Sequence, residues 1–294
     1  MKILVIDFDK LHHKNRRGLI EMFTFIQRNI NSELKYLIGN ISHIQNNFDI
    51  VYSPCKPINT SLYPNKKFIF GPHFSVFPNK LLDSIKNVNN NSIYIQPSKW
   101  AANVWKNLNA EYCLPIKVLP FPVDINYFKP NSDTTKKNCV MIYYKRRNPS
   151  ELGFIINFLN KNKIEHRVFD YIKRYDEKEY LEYLKKSKYG IIVDAHESQG
   201  FAILEALSCN VPLLVWNVTT MRQEYGSKYS FIDANTIPYW DERCGEYFYE
   251  SKDFHKTYNK FMSKINDYKP REYIIEQMSA KPCSDYFNTL INTF

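Results

Sequence analysis

The stretch Tyr189-Gly-Ile-Ile-Val-Asp-Ala, His196-Glu197-Ser198-Gln199-Gly200-Phe201, Ala-Ile-Leu-Glu205-Ala-Leu-Ser-Cys-Asn, Val-Pro212-Leu-Leu-Val-Trp-Asn217 decides the fold. Its first part is a short apolar run rich in β-branched residues, which predicts a buried strand. A polar turn follows. From Gly200 the apolar Phe201, Leu204 and Leu207 recur at helical spacing, so a helix is expected to end near Asn210, and Pro212 opens a second apolar strand. Strand, loop, helix and strand in this order make a unit of a parallel sheet. Ligands in such sheets sit at the carboxyl ends of the strands, facing helix N-termini. Two acids mark that spot: Glu197 in the loop and Glu205 in the second helical turn, with seven residues between them.

The same alternation runs outward in both directions. Before this stretch, strands are expected at 139–144 and 166–171 and helices from Pro149 and over 176–186. Lys145-Arg146-Arg147-Asn148 follows the first of these strands directly, and cations there are well placed for a diphosphate. After the stretch, a short strand is expected at 229–233, loop at 238–245, and helices at 254–265, 271–278 and 285–294. In the first half, strands are expected at 2–8, 35–38, 49–52, 67–70, 92–96 and 117–119, with Ser98 capping a helix that carries Trp100, Val104, Trp105 and Leu108. The basic loop 9–17 is expected to lead into a helix after Gly18. Lys14 and Arg17 there, and His73 just past a strand end, are candidates for the second substrate's side of a cleft. The opening loop is not GxGxxG and lacks the acidic residue of a dinucleotide site. Asp7-Phe8-Asp9 reads as a strand end followed by loop, with metal–diphosphate binding as the alternative. The polar run 131–138 is the expected domain boundary.

With 294 residues and 44% hydrophobic composition, the chain is long enough for two cores. The formal charge of +10 favours an anionic partner such as a nucleotide, nucleic acid or acidic membrane, and a merely solvated basic surface is the alternative. The excess is uneven: residues 136–190 hold 14 Lys/Arg against 7 Asp/Glu. No two of the six cysteines lie closer than 26 residues, so no CxxC-type metal or redox signature exists and reduced thiols are expected. The apolar run at the start is too short for a signal peptide, and no window is long and apolar enough for a transmembrane helix, so a cytoplasmic location is expected. No nucleic-acid motif occurs, and no helix has a basic amphipathic pattern, so membrane contact would be at most peripheral.

His196-Glu197-Ser198-Gln199-Gly200-Phe201-Ala202-Ile203-Leu204-Glu205-Ala206, followed by Val211-Pro212, resembles the glutamate–seven–glutamate signature of retaining GT-B glycosyltransferases of family 4 (glycosyltransferase group 1). Pro122-Val123-Asp124 with Phe128, and Pro97-Ser98-Lys99-Trp100, resemble two further segments of that family, in the expected order. The resemblance implies an α/β fold of GT-B type, two facing Rossmann-like domains with an interdomain cleft. It divides the chain into an acceptor-side domain at 1–135, a nucleotide-sugar domain at 136–275 and a C-terminal helical segment at 276–294 that crosses back. It implies a nucleotide-diphosphate sugar as donor, a hydroxyl acceptor on a glycan, glycolipid or glycoprotein, and transfer with retention. It assigns Glu205 to the ribose hydroxyls and Glu197 to the donor sugar. Lys145 and Arg147 would carry charge stabilisation, and Arg146, Ser198, Gly200 and Phe201 would line the nucleotide-sugar site. Cations and a helix start can replace a metal ion, so no cofactor is expected. Tyr171, past a strand end, is a candidate to stack on the base. The chain departs from the family where Tyr144-Lys145-Arg146-Arg147 replaces a Gly-Arg pair and Glu151 lies near a usual lysine. A nucleotide-sugar epimerase, a phosphorylase-like enzyme and a basic nucleic-acid-binding module are the alternative readings.

Overall fold

Ile3, Leu4, Val5 and Ile6 are fully buried. This run forms β1 (Lys2–Asp7), which pairs in parallel with a strand on each side. The computed structural model describes residues 2–7, 13–29, 33–38, 47–54, 57–72, 87–108, 114–131, 138–229 and 232–294; for 7, 13–17, 19, 21, 29 and 33–38 only the backbone is described. The chain forms two units, Met1–Pro122 with Ala280–Phe294, and Val123–Ser279. The division therefore falls before the polar run 131–138 and again at Ser279.

The first unit continues with α1 (His13–Asn29), β2 (Glu33–Ile38), β3 (Ile50–Ser53), β4 (Lys67–Phe70), β5 (Ser92–Gln96), α2 (Lys99–Asn107) and β6 (Ile116–Val118). Among the described residues its strands lie in the order β2-β1-β3-β4-β5-β6, and every pairing is parallel. Strands covered on both faces read as nearly continuous apolar runs, as β3 and β5 do. Tyr94 of β5 stacks on Trp105 of α2 with ring centroids 4.5 Å apart, so that tryptophan is core. The helix expected after Gly18 begins earlier, at His13, which places Lys14 and Arg17 within α1 rather than in a loop. Gly18 stands inside it because a Cβ there would lie 2.7 Å from the Pro122 carbonyl oxygen.

The second unit runs β7 (Cys139–Lys145), α3 (Pro149–Lys161), β8 (His166–Asp170), α4 (Glu177–Lys186), β9 (Ser187–Asp194), α5 (Phe201–Ser208), β10 (Leu213–Trp216), β11 (Gly245–Phe248), α6 (Phe254–Ser263) and α7 (Pro270–Gln277). The strand order is β11-β10-β9-β7-β8, again all parallel. β7 and β9 are therefore interior strands, and every residue of β7 is buried. Asn148 and Glu151 form a reciprocal capping box at the start of α3, with Pro149 in its first turn. Two expectations are corrected here. The described part of 229–233 forms no strand, and Asp233 makes only an isolated antiparallel bridge with Thr220. The edge strand is instead β11, which begins at the end of the stretch expected to be loop. Gly245 is required there: its φ is 138°, and a Cβ would fall 2.0 Å from the Leu213 carbonyl oxygen.

The last helix, α8 (Ala280–Thr293), returns to the first unit. Phe287 meets Phe23 of α1 edge-on at 5.6 Å and Tyr52 of β3 at 6.0 Å, and Ser284 Oγ donates to the Met22 carbonyl at 3.2 Å. Among the described residues no helix is long and apolar enough to cross a membrane. Cys139, Cys209, Cys244 and Cys283 are buried free thiols.

Candidate functional site

The carboxyl ends of β7 and β9 meet in register, with Lys145 opposite Asp194. Directly beyond Asp194 the chain turns through His196–Gly200 into α5. Gly200 adopts the left-handed conformation (φ 77°, ψ 44°) that starts the helix, and Leu204 N donates to its carbonyl at 2.9 Å. The amides before Leu204 have no intrahelical acceptor and point out of the helix start, where partial positive charge collects. α5 itself is almost wholly apolar and packs against the sheet, with Ala202 to Ser208 all buried. The site is thus a polar rim on a rigid apolar support.

Lys145 Nζ sits 2.7 Å from Glu197 Oε1, with both side chains nearly buried. It also donates to the His196 carbonyl at 3.4 Å. Tyr143 OH, two residues back on β7, donates to the same Glu197 oxygen at 3.3 Å. Burial disfavours the Lys145 ammonium, but Glu197 and Asp194 outweigh it and hold its pKa above the ordinary lysine value. Burial likewise opposes the Glu197 carboxylate, and Lys145 overcomes it, so Glu197 lies below the usual range. Burial and then Glu197 push the Tyr143 phenol well up, which keeps it a donor. The two are therefore an ion pair at neutral pH.

The three cations after β7 have different surroundings. Arg147 is 1% exposed. Its Nε and Nη2 grip Glu151, while Nη1 donates to the carbonyls of Trp216 at 3.2 Å and Asp194 at 3.4 Å. Its guanidinium also lies over the Trp216 ring. Arg147 therefore ties α3 to the ends of β9 and β10 with its donors turned inward. Arg146 takes a left-handed backbone (φ 53°), which turns its side chain outward: it is 41% exposed and reaches Glu224 Oε1 at 3.5 Å. Tyr171 is 45% exposed, and its ring faces Lys145 Nζ at 4.8 Å. Ser198 and Phe201 are partly exposed at the turn, and Glu205 is buried in α5 at 2% exposure. Lys14 and Arg17 are described by backbone alone, and His73 lies outside the described residues.

Several residues of the rim were not singled out from sequence. His196 Nε2 lies 2.8 Å from Glu224 Oε2, so Glu224 is shared between His196 and Arg146. Asn217 Oδ1 accepts from the amides of Val218 and Thr236, and Thr236 Oγ1 donates to the Asp194 carbonyl at 3.0 Å. Asp194 itself is fully buried. An acid two residues before His196, at the end of an apolar strand, was the available signal. Glu224 carried none, because its role depends on the loop after β10 folding back. Among the described residues no three His, Cys, Asp or Glu side chains gather as a metal site.

No protein-family model matches the chain, and no curated protein matches it. Solved structures do match. Sucrose-phosphate synthase from Thermosynechococcus elongatus is 9% identical, with a TM-score of 0.59 over 100% of this chain and 98% of that one. An α-glucosyltransferase in complex with UDP is 10% identical, with a TM-score of 0.60 over 99% of this chain and 100% of that one. The N-terminal domain of a Candida albicans trehalose-6-phosphate phosphatase is 11% identical, with a TM-score of 0.60 over 99% and 96%. The chain has the GT-B fold. At such identities the likeness is one of backbone architecture, and the chemistry resides in the rim of β7, β9 and α5.

Proposed function

We propose that this GT-B chain is a retaining glycosyltransferase that moves a sugar from a nucleotide-diphosphate sugar to a hydroxyl acceptor. The observation that carries the reading is the Lys145–Glu197 ion pair at 2.7 Å, set at the start of α5 with Arg146 beside it. This arrangement offers cations and helix-start amides to a diphosphate, and a carboxylate to the hydroxyls next to it. Fold neighbours include an α-glucosyltransferase in complex with UDP and one with UDP-glucose and DNA, which supports a nucleotide-sugar donor.

In this reading the glycosidic C–O bond to the β-phosphate breaks and negative charge gathers on the departing diphosphate. Lys145, Arg146 and the α5 amides stabilise that charge, the usual largest contribution to such catalysis. Lys145 turns from Glu197 toward the phosphate, and Arg147 holds the turn that follows Lys145 and carries Arg146. Glu197 accepts from donor-sugar hydroxyls, and Glu205 from the ribose. The acceptor oxygen bonds to the anomeric carbon on the face the diphosphate leaves, and the acceptor proton passes to the departing phosphate oxygen. No metal is needed in this scheme, because the positive charge comes from side chains and amides.

The test is a panel of uridine, guanosine, adenosine and cytidine diphosphates and their sugars, read by melting temperature and by release of nucleoside diphosphate. Stabilisation by one base series, with sugar-dependent release, supports the reading, because a ligand that binds only the folded state raises stability with occupancy. The anomeric configuration of the product, read by NMR, decides retention. A protein unmoved by every member of the panel is not a nucleotide-sugar enzyme.

A further inference from the structure

The ion pair at the tip of β7 has a third member that the scheme above does not use. Asp194 is fully buried at the end of β9, in register with Lys145. Its Oδ1 accepts the His196 amide at 3.2 Å. Its Oδ2 is buried and has no hydrogen-bond donor facing it. The Asp194 carboxyl and the Glu197 carboxylate are hydrogen-bonding neighbours, each shifting the other's protonation. Two neighbouring carboxyls, one fully buried and the other 13% exposed, are best accommodated when one of them carries a proton. Glu197 already accepts from Lys145 and Tyr143. Asp194 meets a single backbone amide, and Lys145 is committed to Glu197 at 2.7 Å.

We propose that Asp194 is a positioning residue that works as a neutral carboxylic acid, donating from Oδ2 to Glu197 and fixing it against Lys145. The groups around it bear this out. Burial drives its carboxyl well above the usual carboxylate range, with Glu197 adding to the rise against the pull of Lys145. Arg147 meets Asp194 at its backbone carbonyl, not at the carboxyl. The trio then carries one positive and one negative charge. An ionised Asp194 would add a second buried negative charge where a diphosphate is to bind. The proton also gives Glu197 a third donor, so that its carboxylate is held in one orientation when Lys145 turns away.

This inference uses the glycosyltransferase reading only for its activity arm. The first measurement needs no substrate: infrared difference spectra of wild type against Asp194→Asn at neutral pH. A protonated-carboxyl carbonyl band that shifts in D2O and is missing from the variant is expected; a spectrum without that band overturns the proposal. The second compares Asp194→Asn with Asp194→Ala in kcat and KM across pH, on the donor found above. Asparagine keeps a donor at the same place without a titrating proton. It should retain most of kcat, with a pH profile free of the Asp194 ionisation, while alanine loses about tenfold or more. Equal losses in both variants, or the same pH profile in Asp194→Asn as in wild type, overturn it. Absence of turnover in wild type with the infrared band present would sink the enzyme reading alone.

Discussion

Arg147 holds both carboxylate oxygens of Glu151, through Nε at 2.8 Å and Nη2 at 2.5 Å, one turn into the helix it precedes. The same glutamate accepts from the Asn148 amide, so one side chain closes the cap of α3 and anchors a buried cation. Removing Arg147 leaves the Trp216 and Asp194 carbonyls and the Glu151 carboxylate short of donors at once. Arg147→Ala should therefore lower folding stability by about 3–5 kcal/mol, the usual cost of breaking a buried pair. Denaturant unfolding of the isolated variant measures this. A variant as stable as wild type with weakened nucleotide binding would instead make Arg147 a direct ligand.

Lys145 supplies the complementary case. Lys145→Met keeps most of the aliphatic side chain and removes its charge. It leaves the nearly buried Glu197 without its cation, so a stability loss is expected as well; in the fraction that stays folded by far-UV circular dichroism kcat should fall about 10²–10³-fold, the scale for losing one preorganised charge partner of a transition state. Glu205→Ala, by contrast, should act mainly on KM if the proposed ribose contact holds, because such a contact is made equally in ground and transition states.

Glu224 links stability to pH. The hydrogen bond from His196, opposed by burial and helped by the charges of His196 and Arg146, holds its carboxyl below the usual range. A carboxylate with a lowered folded pKa contributes stability above its unfolded value of about 4.3, and this is lost as pH falls through the folded value. The melting-temperature gap between wild type and Glu224→Gln should be full above about pH 5 and close progressively below about pH 4. A gap that widens in acid would mean the carboxyl is stabilised in its neutral form.

Two glycines separate conformation from space. At Gly200 an added Cβ meets nothing closer than 3.6 Å, so Gly200→Ala carries only the cost of the left-handed backbone, about 1–2 kcal/mol. At Gly245 the added carbon overlaps the Leu213 backbone, so Gly245→Ala should detach the edge strand β11. Hydrogen exchange of the Gly245–Phe248 amides reads the difference: faster in Gly245→Ala, unchanged in Gly200→Ala.

Most strands were legible because both faces of these sheets are covered, which forces short apolar runs bounded by polar turns; 67–70 and 92–96 coincide with β4 and β5. β11 was missed for the opposite reason. It starts on a glycine and, as an edge strand, leaves Tyr247 45% exposed, so its four residues carry no continuous apolar signal. The site was legible as a set of residue types and less so as a geometry. Lys145, Arg146 and Arg147 are three consecutive cations in sequence, and what separates them is the left-handed turn at Arg146, which sends one guanidinium outward and the next into the core. Tyr171, a candidate to stack on a base from its place past a strand end, is 45% exposed and presents its ring to Lys145 Nζ, a contact of which the sequence carries no sign. Asp194 went unweighed because an acid at a strand end is ordinarily a solvated residue, whereas here it is fully buried.

The return of α8 to α1 fixes an order of assembly on the ribosome. The second unit is one uninterrupted segment and is complete as soon as Ser279 has emerged. The first unit is begun earlier but lacks the helix that covers Phe23 and Tyr52 until α8 is made. During synthesis its sheet must wait, with that apolar face uncovered, for the whole of the second unit to be translated, so the half begun first is the half finished last.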